Sequence, residues 1–164
     1  HERLSRSESG GSIDLGEYLR ELTNTLSSAR GDPMRRIHVE DLLASVEVDA
    51  SLAVTVGLLV NELVMNALKH AFPGERRGRV LVELKVLPGS RLRLTVEDDG
   101  VGLALGVPRE GLGTTLVEGL SSQLGGKPEL VSAPGAGLRF VLEFAVSAPG
   151  SRGRAEPHAP SPKA

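Results

Sequence analysis

From Asp49 to Phe72 apolar and polar residues separate at helical spacing, and no other stretch constrains the fold as strongly. Val56, Leu59, Val60, Leu63 and Ala67 form one stripe, while Glu62, Asn66 and Lys69 or His70 share another face. The helix starts at Asp49 or Ser51 and stops near Pro73-Gly74. Taken alone it is a half-buried amphipathic element with a wet polar side. A carboxylate, an amide and a cation in one row also suit a metal-bound anionic ligand. Asn and Glu oxygens are hard donors of the kind Mg²⁺ accepts, and an ammonium group favours phosphate oxygens.

Two further motifs follow in order. Arg91-Leu-Arg-Leu-Thr-Val96 alternates like a strand and runs into Glu97-Asp98-Asp99-Gly100-Val101-Gly102. A carboxylate there could accept from an exocyclic amine, with glycines letting backbone come close to a ligand. In isolation it is a glycine turn after a strand. Gly111-Leu-Gly113 then precedes Thr114 to Leu124, whose Leu116, Leu120 and Leu124 fall at helical spacing. Glycines at a helix start leave N–H groups open to an anion, although a lone Gly-x-Gly is weak evidence.

In this order the three motifs resemble the nucleotide-binding boxes of the Bergerat-fold ATPases, which include gyrase-type, chaperone-type, mismatch-repair and histidine kinase ATP-binding domains. Asn61-Glu-Leu-Val-Met-Asn-Ala-Leu-Lys-His-Ala-Phe-Pro73, Gln123-Leu-Gly-Gly126 and Gly137-Leu-Arg-Phe-Val-Leu-Glu-Phe144 look most like bacterial sensor histidine kinases of the HWE-like group. The resemblance runs from about Asp14 to Val146. It implies an α+β two-layer sandwich: a mixed, mostly antiparallel sheet packed on about three helices, with a mobile ATP lid. It implies ATP and Mg²⁺ as ligands, with Asn66 on the metal and Asp98 on the adenine amine. Gly100 and Gly102 would form the turn under the base, and Lys69 and His70 would contact phosphate. Gly111 and Gly113, with Thr114 after them, would close the lid. Glu62 stands where hydrolytic members place a general base, and it is expected to assist Asn66 with the metal. One departure stands out. Where the family often has Gly-Thr before its last strand, this chain has Gly137-Leu138. Leu offers no hydroxyl to the adenine-binding Asp, so Thr95 or Ser132 is the expected substitute.

Composition agrees with this frame. The chain has 164 residues, enough for one domain and too few for two of ordinary size. Aromatic content is 2%, so the core must be built from Leu, Val and Ala. A net charge of −2 gives no basic surface for nucleic acid. With no Cys there is neither a disulfide framework nor a thiolate site, as in a reducing bacterial cytoplasm. No targeting pattern is visible, and runs such as Leu52 to Val60 fall short of the roughly 20 residues a span needs. Direct membrane contact is therefore not expected.

Residues 1–13 read as a lead-in, 14–146 as the catalytic domain and 147–164 as a disordered tail. Asp14 with Glu17 reads as a helix start, followed by Leu15, Leu19, Leu22 and Leu26 on one face. Arg36 to Glu40 and Ala44 to Val48 read as short strands. Arg79 to Val86 and Arg91 to Glu97 form a hairpin turned at Pro88-Gly89-Ser90, and Glu129 to Ser132 and Leu138 to Val146 close the sheet. Leu103 to Gly111 is the expected lid.

A histidine kinase needs a phosphoacceptor His on a dimerisation hairpin, and the residues before Asp14 are too few to form one. His1-Glu-Arg-Leu4 resembles the end of such a hairpin. The resemblance thus implies a domain that serves a parent kinase's hairpin, with a response regulator downstream. His38 and His158 are assigned no role. An anti-sigma-factor-type serine kinase, a docking module for a response regulator and a gyrase-type hydrolase are the competing readings.

Overall fold

The structure, a computed structural model, describes residues 11–29, 36–102 and 114–146. In chain order the elements are β1 (Ser12–Asp14), α1 (Leu15–Ala29), β2 (Ile37–Leu43), β3 (Glu47–Asp49), α2 (Ala50–His70), β4 (Gly78–Leu87), β5 (Arg91–Asp98), α3 (Thr114–Gln123), β6 (Glu129–Ser132) and β7 (Leu138–Ala145). Five strands form one sheet in the order β2-β4-β5-β7-β6, and β1 and β3 form a separate antiparallel pair. Only β2 and β4 run parallel, and α2 lies in the crossover that such a pair requires. The other neighbours are antiparallel.

Alternation decides which face of the sheet is covered. Val80, Val82 and Leu84 of β4, Leu92, Leu94 and Val96 of β5, and Phe140, Leu142 and Phe144 of β7 are all buried on one side. Leu52, Val56, Leu59, Val60 and Val64 of α2 and Leu15, Leu19 and Leu26 of α1 are buried in the same core. All three Phe of the chain belong to it, so the sparse aromatics are spent on the interior. By length and composition α2 would also pass as a membrane span. Here it is the central helix of the core, packed on the sheet with α1 and α3 at its sides. Gly57 permits the contact with α1, because a Cβ there would lie 2.6 Å from Cε1 of Tyr18.

The start of α1 follows the expected cap. Glu17 N donates to Asp14 Oδ1 at 3.3 Å, and the Ser45 hydroxyl donates to Oδ2 at 2.5 Å. Partial burial pushes the Asp14 carboxyl up, but donation from Ser45 and from the backbone of Glu17, Val46 and Gly16 outweighs it and holds the group below its ordinary value.

Two local expectations differ from the structure. Ser12 and Ile13, read as lead-in, pair with Asp49 and Val48 as β1. The two strands expected over 36–48 are instead a seven-residue β2 and the short β3. β2 continues through Asp41 on its covered face because α1 meets that carboxylate: Arg20 Nε lies 3.5 Å from Oδ1 and Thr23 Oγ1 donates to Oδ2 at 3.4 Å. A partner on another element is invisible to a strand pattern.

Leu94→Ala should destabilise the domain by about 2–5 kcal/mol, whereas exposed Leu42→Ala should change it by less than about 1 kcal/mol. Urea midpoints at unchanged m-value check both. Asp14→Ala should cost about 1 kcal/mol at neutral pH. Because its folded carboxyl titrates lower than the unfolded one, this contribution is present above the ordinary carboxylate range and lost as pH falls through the lowered value. Denaturation of wild type and variant should therefore converge in acid.

Candidate functional site

Three chain segments meet where α2 ends. The register puts Asp98, the last residue of β5, on the helix-covered face with Leu92, Leu94 and Val96, half-buried beside the end of α2. Gly100 N donates to Asp98 Oδ1 at 2.9 Å, and the backbone N–H of Leu138 donates to the same carboxylate. Burial is the main influence on this acid and raises it above the ordinary carboxylate value. Those two N–H groups and the charge of Arg76 work against the rise, and the charge of Asp99 adds to it.

The turn after Asp98 is strapped on both sides. Val101 N donates to Ala71 O at 2.9 Å, and Gly135 N donates to Val101 O at 2.7 Å. Gly100 lies so close to the end of α2 that a Cβ would sit 2.3 Å from Ala71 O. Gly102 has φ of 69°, and a Cβ there would come within 2.2 Å of Ala133 O. Asp99 instead fastens β5 to β4, since its Oδ1 accepts from Arg79 N at 2.8 Å and its own N donates to Arg79 O at 3.3 Å.

From this turn the polar stripe runs back along α2. His70 and Lys69 are exposed in its last turn, and Asn66 and Glu62 follow at successive turns, half-buried. Over Glu62 to His70 the axis rises about 12 Å. The helix C-terminus carries the negative end of the dipole, so an anion lying here depends on nearby cations such as Lys69. Among the described residues no group of three or more His, Cys, Asp or Glu could hold a metal alone. Asn66 and Glu62 offer hard oxygens one helical turn apart, a partial donor set that fits Mg²⁺, which keeps waters and shares phosphate oxygens.

The structure thus sets Glu62, Asn66, Lys69 and His70 along α2 and places Gly100, between Asp98 and Gly102, against the end of that helix. Thr114 is the first residue of α3. Gly111, Gly113 and the rest of the expected lid lie outside the described residues, as do residues 1–10 and 147–164.

Neither expected hydroxyl serves Asp98. Thr95 is three positions away on the same strand and so faces the other side of the sheet, where its buried Oγ1 has no partner. Ser132 Oγ donates to Gly137 O at 2.9 Å. Leu138 reaches Asp98 through its backbone alone, and that approach needs Gly137: with φ of 74°, a Cβ there would lie 2.0 Å from Asp98 O. The motif singles out Gly137, but only the strand pairing shows why it matters. Arg76 is a residue that sequence reasoning missed. Its Nη2 donates to Asp99 O at 3.1 Å, and no motif points to it.

Comparison with known proteins agrees with this geometry. Residues 52–148 match the family described as histidine kinase-, DNA gyrase B-, and HSP90-like ATPase. Blue-light-activated histidine kinase 2 of Erythrobacter litoralis is 36% identical over 138 residues, covering 82% of this chain and 39% of the relative. The chain therefore spans about two-fifths of that protein's length. The histidine kinase domain of an Erythrobacter litoralis blue-light activated histidine kinase superposes with a TM-score of 0.78 at 30% identity, over 88% of this chain and 73% of that one. The mycobacterial sensor histidine kinase MprB shares the fold, with a TM-score of 0.61 at 22% identity over 82% of this chain and 96% of that one.

Because burial raises the Asp98 carboxyl, its contribution to stability falls as pH rises from the ordinary carboxylate value through the raised one. Asp98→Asn should remove that decline, so the gap in thermal midpoint between variant and wild type should widen in the variant's favour across this interval. A constant gap would show that Asp98 is not titrating there.

Proposed function

We propose that this chain, which belongs to the histidine kinase-, DNA gyrase B-, and HSP90-like ATPase family, binds ATP with Mg²⁺ as the catalytic domain of a two-component sensor histidine kinase. It presents the γ-phosphate to a histidine outside this chain, on the dimerisation hairpin of a parent kinase, and a response regulator receives the phosphoryl group next. The observation that carries the reading is the half-buried Asp98, held by the N–H groups of Gly100 and Leu138 at one end of a polar stripe that leads to Asn66. A carboxylate fixed in this way accepts from the exocyclic amine of adenine. With the base there, the triphosphate lies back along α2 toward Glu62.

Transfer of a phosphoryl group asks little covalent chemistry of a protein; it asks for alignment and neutralisation of charge. Lys69 supplies a cation where the helix dipole is unfavourable to phosphate. Asn66 and Glu62 would hold Mg²⁺, which would supply charge neutralisation at the phosphates. Glu62 assists that charge arrangement rather than driving hydrolysis. The Erythrobacter relatives favour this reading over a serine kinase or a docking module, since their names are those of histidine kinases.

Calorimetric titration with a non-hydrolysable ATP analogue should show Mg²⁺-dependent binding. Asn66→Ala should abolish the Mg²⁺ dependence, and Lys69→Ala should weaken affinity about tenfold, as loss of a charge-assisted contact of about 1.4 kcal/mol would. Wild-type affinity in the Asn66 variant would remove that residue from the metal site. Adding the parent's hairpin should yield acid-labile phosphohistidine; phosphoserine on another protein would point to the serine kinase instead.

A further inference from the structure

The first half of α2 departs from the pattern of its neighbours. From Ala50 to Val60 it carries no charged side chain, and its polar residues are Ser51 and Thr55, of which Thr55 donates back to Ser51 O at 3.0 Å. A helix that is apolar all round belongs inside a core. Yet Val54 is 49% exposed and Leu58 is 51% exposed, one turn apart on the same side of the helix, and partly buried Met65 continues their line. On α1, by contrast, the exposed positions are polar, Glu17, Arg20, Glu21 and Asn24 among them. The other large apolar side chains exposed among the described residues, Leu42, Val86, Leu116 and Val131, are spread over β2, β4, α3 and β6.

The chain joins the domain beside this crest. Ser12 of β1 pairs with Asp49 of β3, and Ala50 N donates to Gly11 O at 2.9 Å, so the lead-in arrives at the first turn of α2. From Ala50, Val54 lies about 6 Å and Leu58 about 12 Å along the helix axis. Ten residues span at most about 36 Å, so a helix ending at His1-Glu-Arg-Leu4 is within reach of both. At its other end the crest adjoins the site, because Leu58 precedes Glu62 by one turn. We propose that the Val54–Leu58 crest is the seat of the parent kinase's hairpin, which lays an apolar helix face on these two side chains and so holds its histidine beside the phosphate. This rests on the nucleotide reading given above, which puts the triphosphate at Glu62. Two apolar anchors one turn apart suit the stripe of an amphipathic helix. Ser51 and Asn61, which border the crest, are uncharged, so a highly charged partner finds no pairing group there.

The chain has no Cys, so Val54→Cys or Leu58→Cys introduces its single thiol. Alkylation rates, read on the peptide that carries the thiol, are compared between this chain and the parent kinase, each with Mg²⁺ and a non-hydrolysable ATP analogue. Both thiols should react about tenfold more slowly in the parent, whereas Val131→Cys on β6 should react alike in the two. Val54→Asp and Leu58→Gln should each cut phosphohistidine formation in the parent by about tenfold while this chain keeps wild-type affinity for the analogue. A parent that forms phosphohistidine without protecting either thiol overturns this inference alone, as do wild-type rates of phosphohistidine formation in both variants. Protection that develops in this chain by itself as its concentration rises makes a second copy the occupant and overturns the inference too. If wild type neither binds the analogue nor forms phosphohistidine, the nucleotide reading fails and takes this inference with it.

Discussion

The end of α2 meets the end of β5 at a contact with no room for a side chain. Gly100 presses on the Ala71 carbonyl, and Val101 N donates to that same oxygen. This junction fixes the end of α2, with Lys69 and His70 in its last turn, relative to the end of β5 and Asp98. The contact can be held because α2 is anchored along its length by Val56, Leu59, Val60 and Val64, all fully buried against the sheet. A helix free to slide by one turn would move its stripe by about 5.4 Å and break the register with Asp98.

Electrostatics at the junction are unfavourable in two places and offset in each. A half-buried carboxylate is held by two backbone donors, and a guanidinium on the adjoining loop donates to the backbone carbonyl of the next residue. The C-terminal end of α2 disfavours phosphate, and its last turn carries Lys69 and His70. Leu138 offers Asp98 no hydroxyl; its backbone N–H reaches the carboxylate, and Gly137 leaves room for that approach because a Cβ there would lie 2.0 Å from Asp98 O.

The long helix, the hairpin and the closing strands were legible because each carries its own period. α2 needs its apolar face buried, and β4, β5 and β7 alternate cleanly between the covered and open sides. The weak places were those where a partner distant in sequence decided the outcome. β1 exists only as the pairing partner of β3, and Asp41 sits on a covered face only because Arg20 and Thr23 reach it. Thr95 and Ser132 looked equivalent as hydroxyl donors until strand parity put one on the wrong face and the β6–β7 bend engaged the other.

By itself the sequence determined the element types, the buried faces and the chemical identity of the site side chains, because helical and strand periods and motif order are local properties of the chain. Tertiary structure decided which backbone groups hold Asp98, why Gly100, Gly102 and Gly137 cannot carry a Cβ, and that Arg76 donates to the Asp99 carbonyl. Those are contacts between segments far apart in the chain, and they are fixed only when the sheet pairs and the end of α2 closes on the turn after β5.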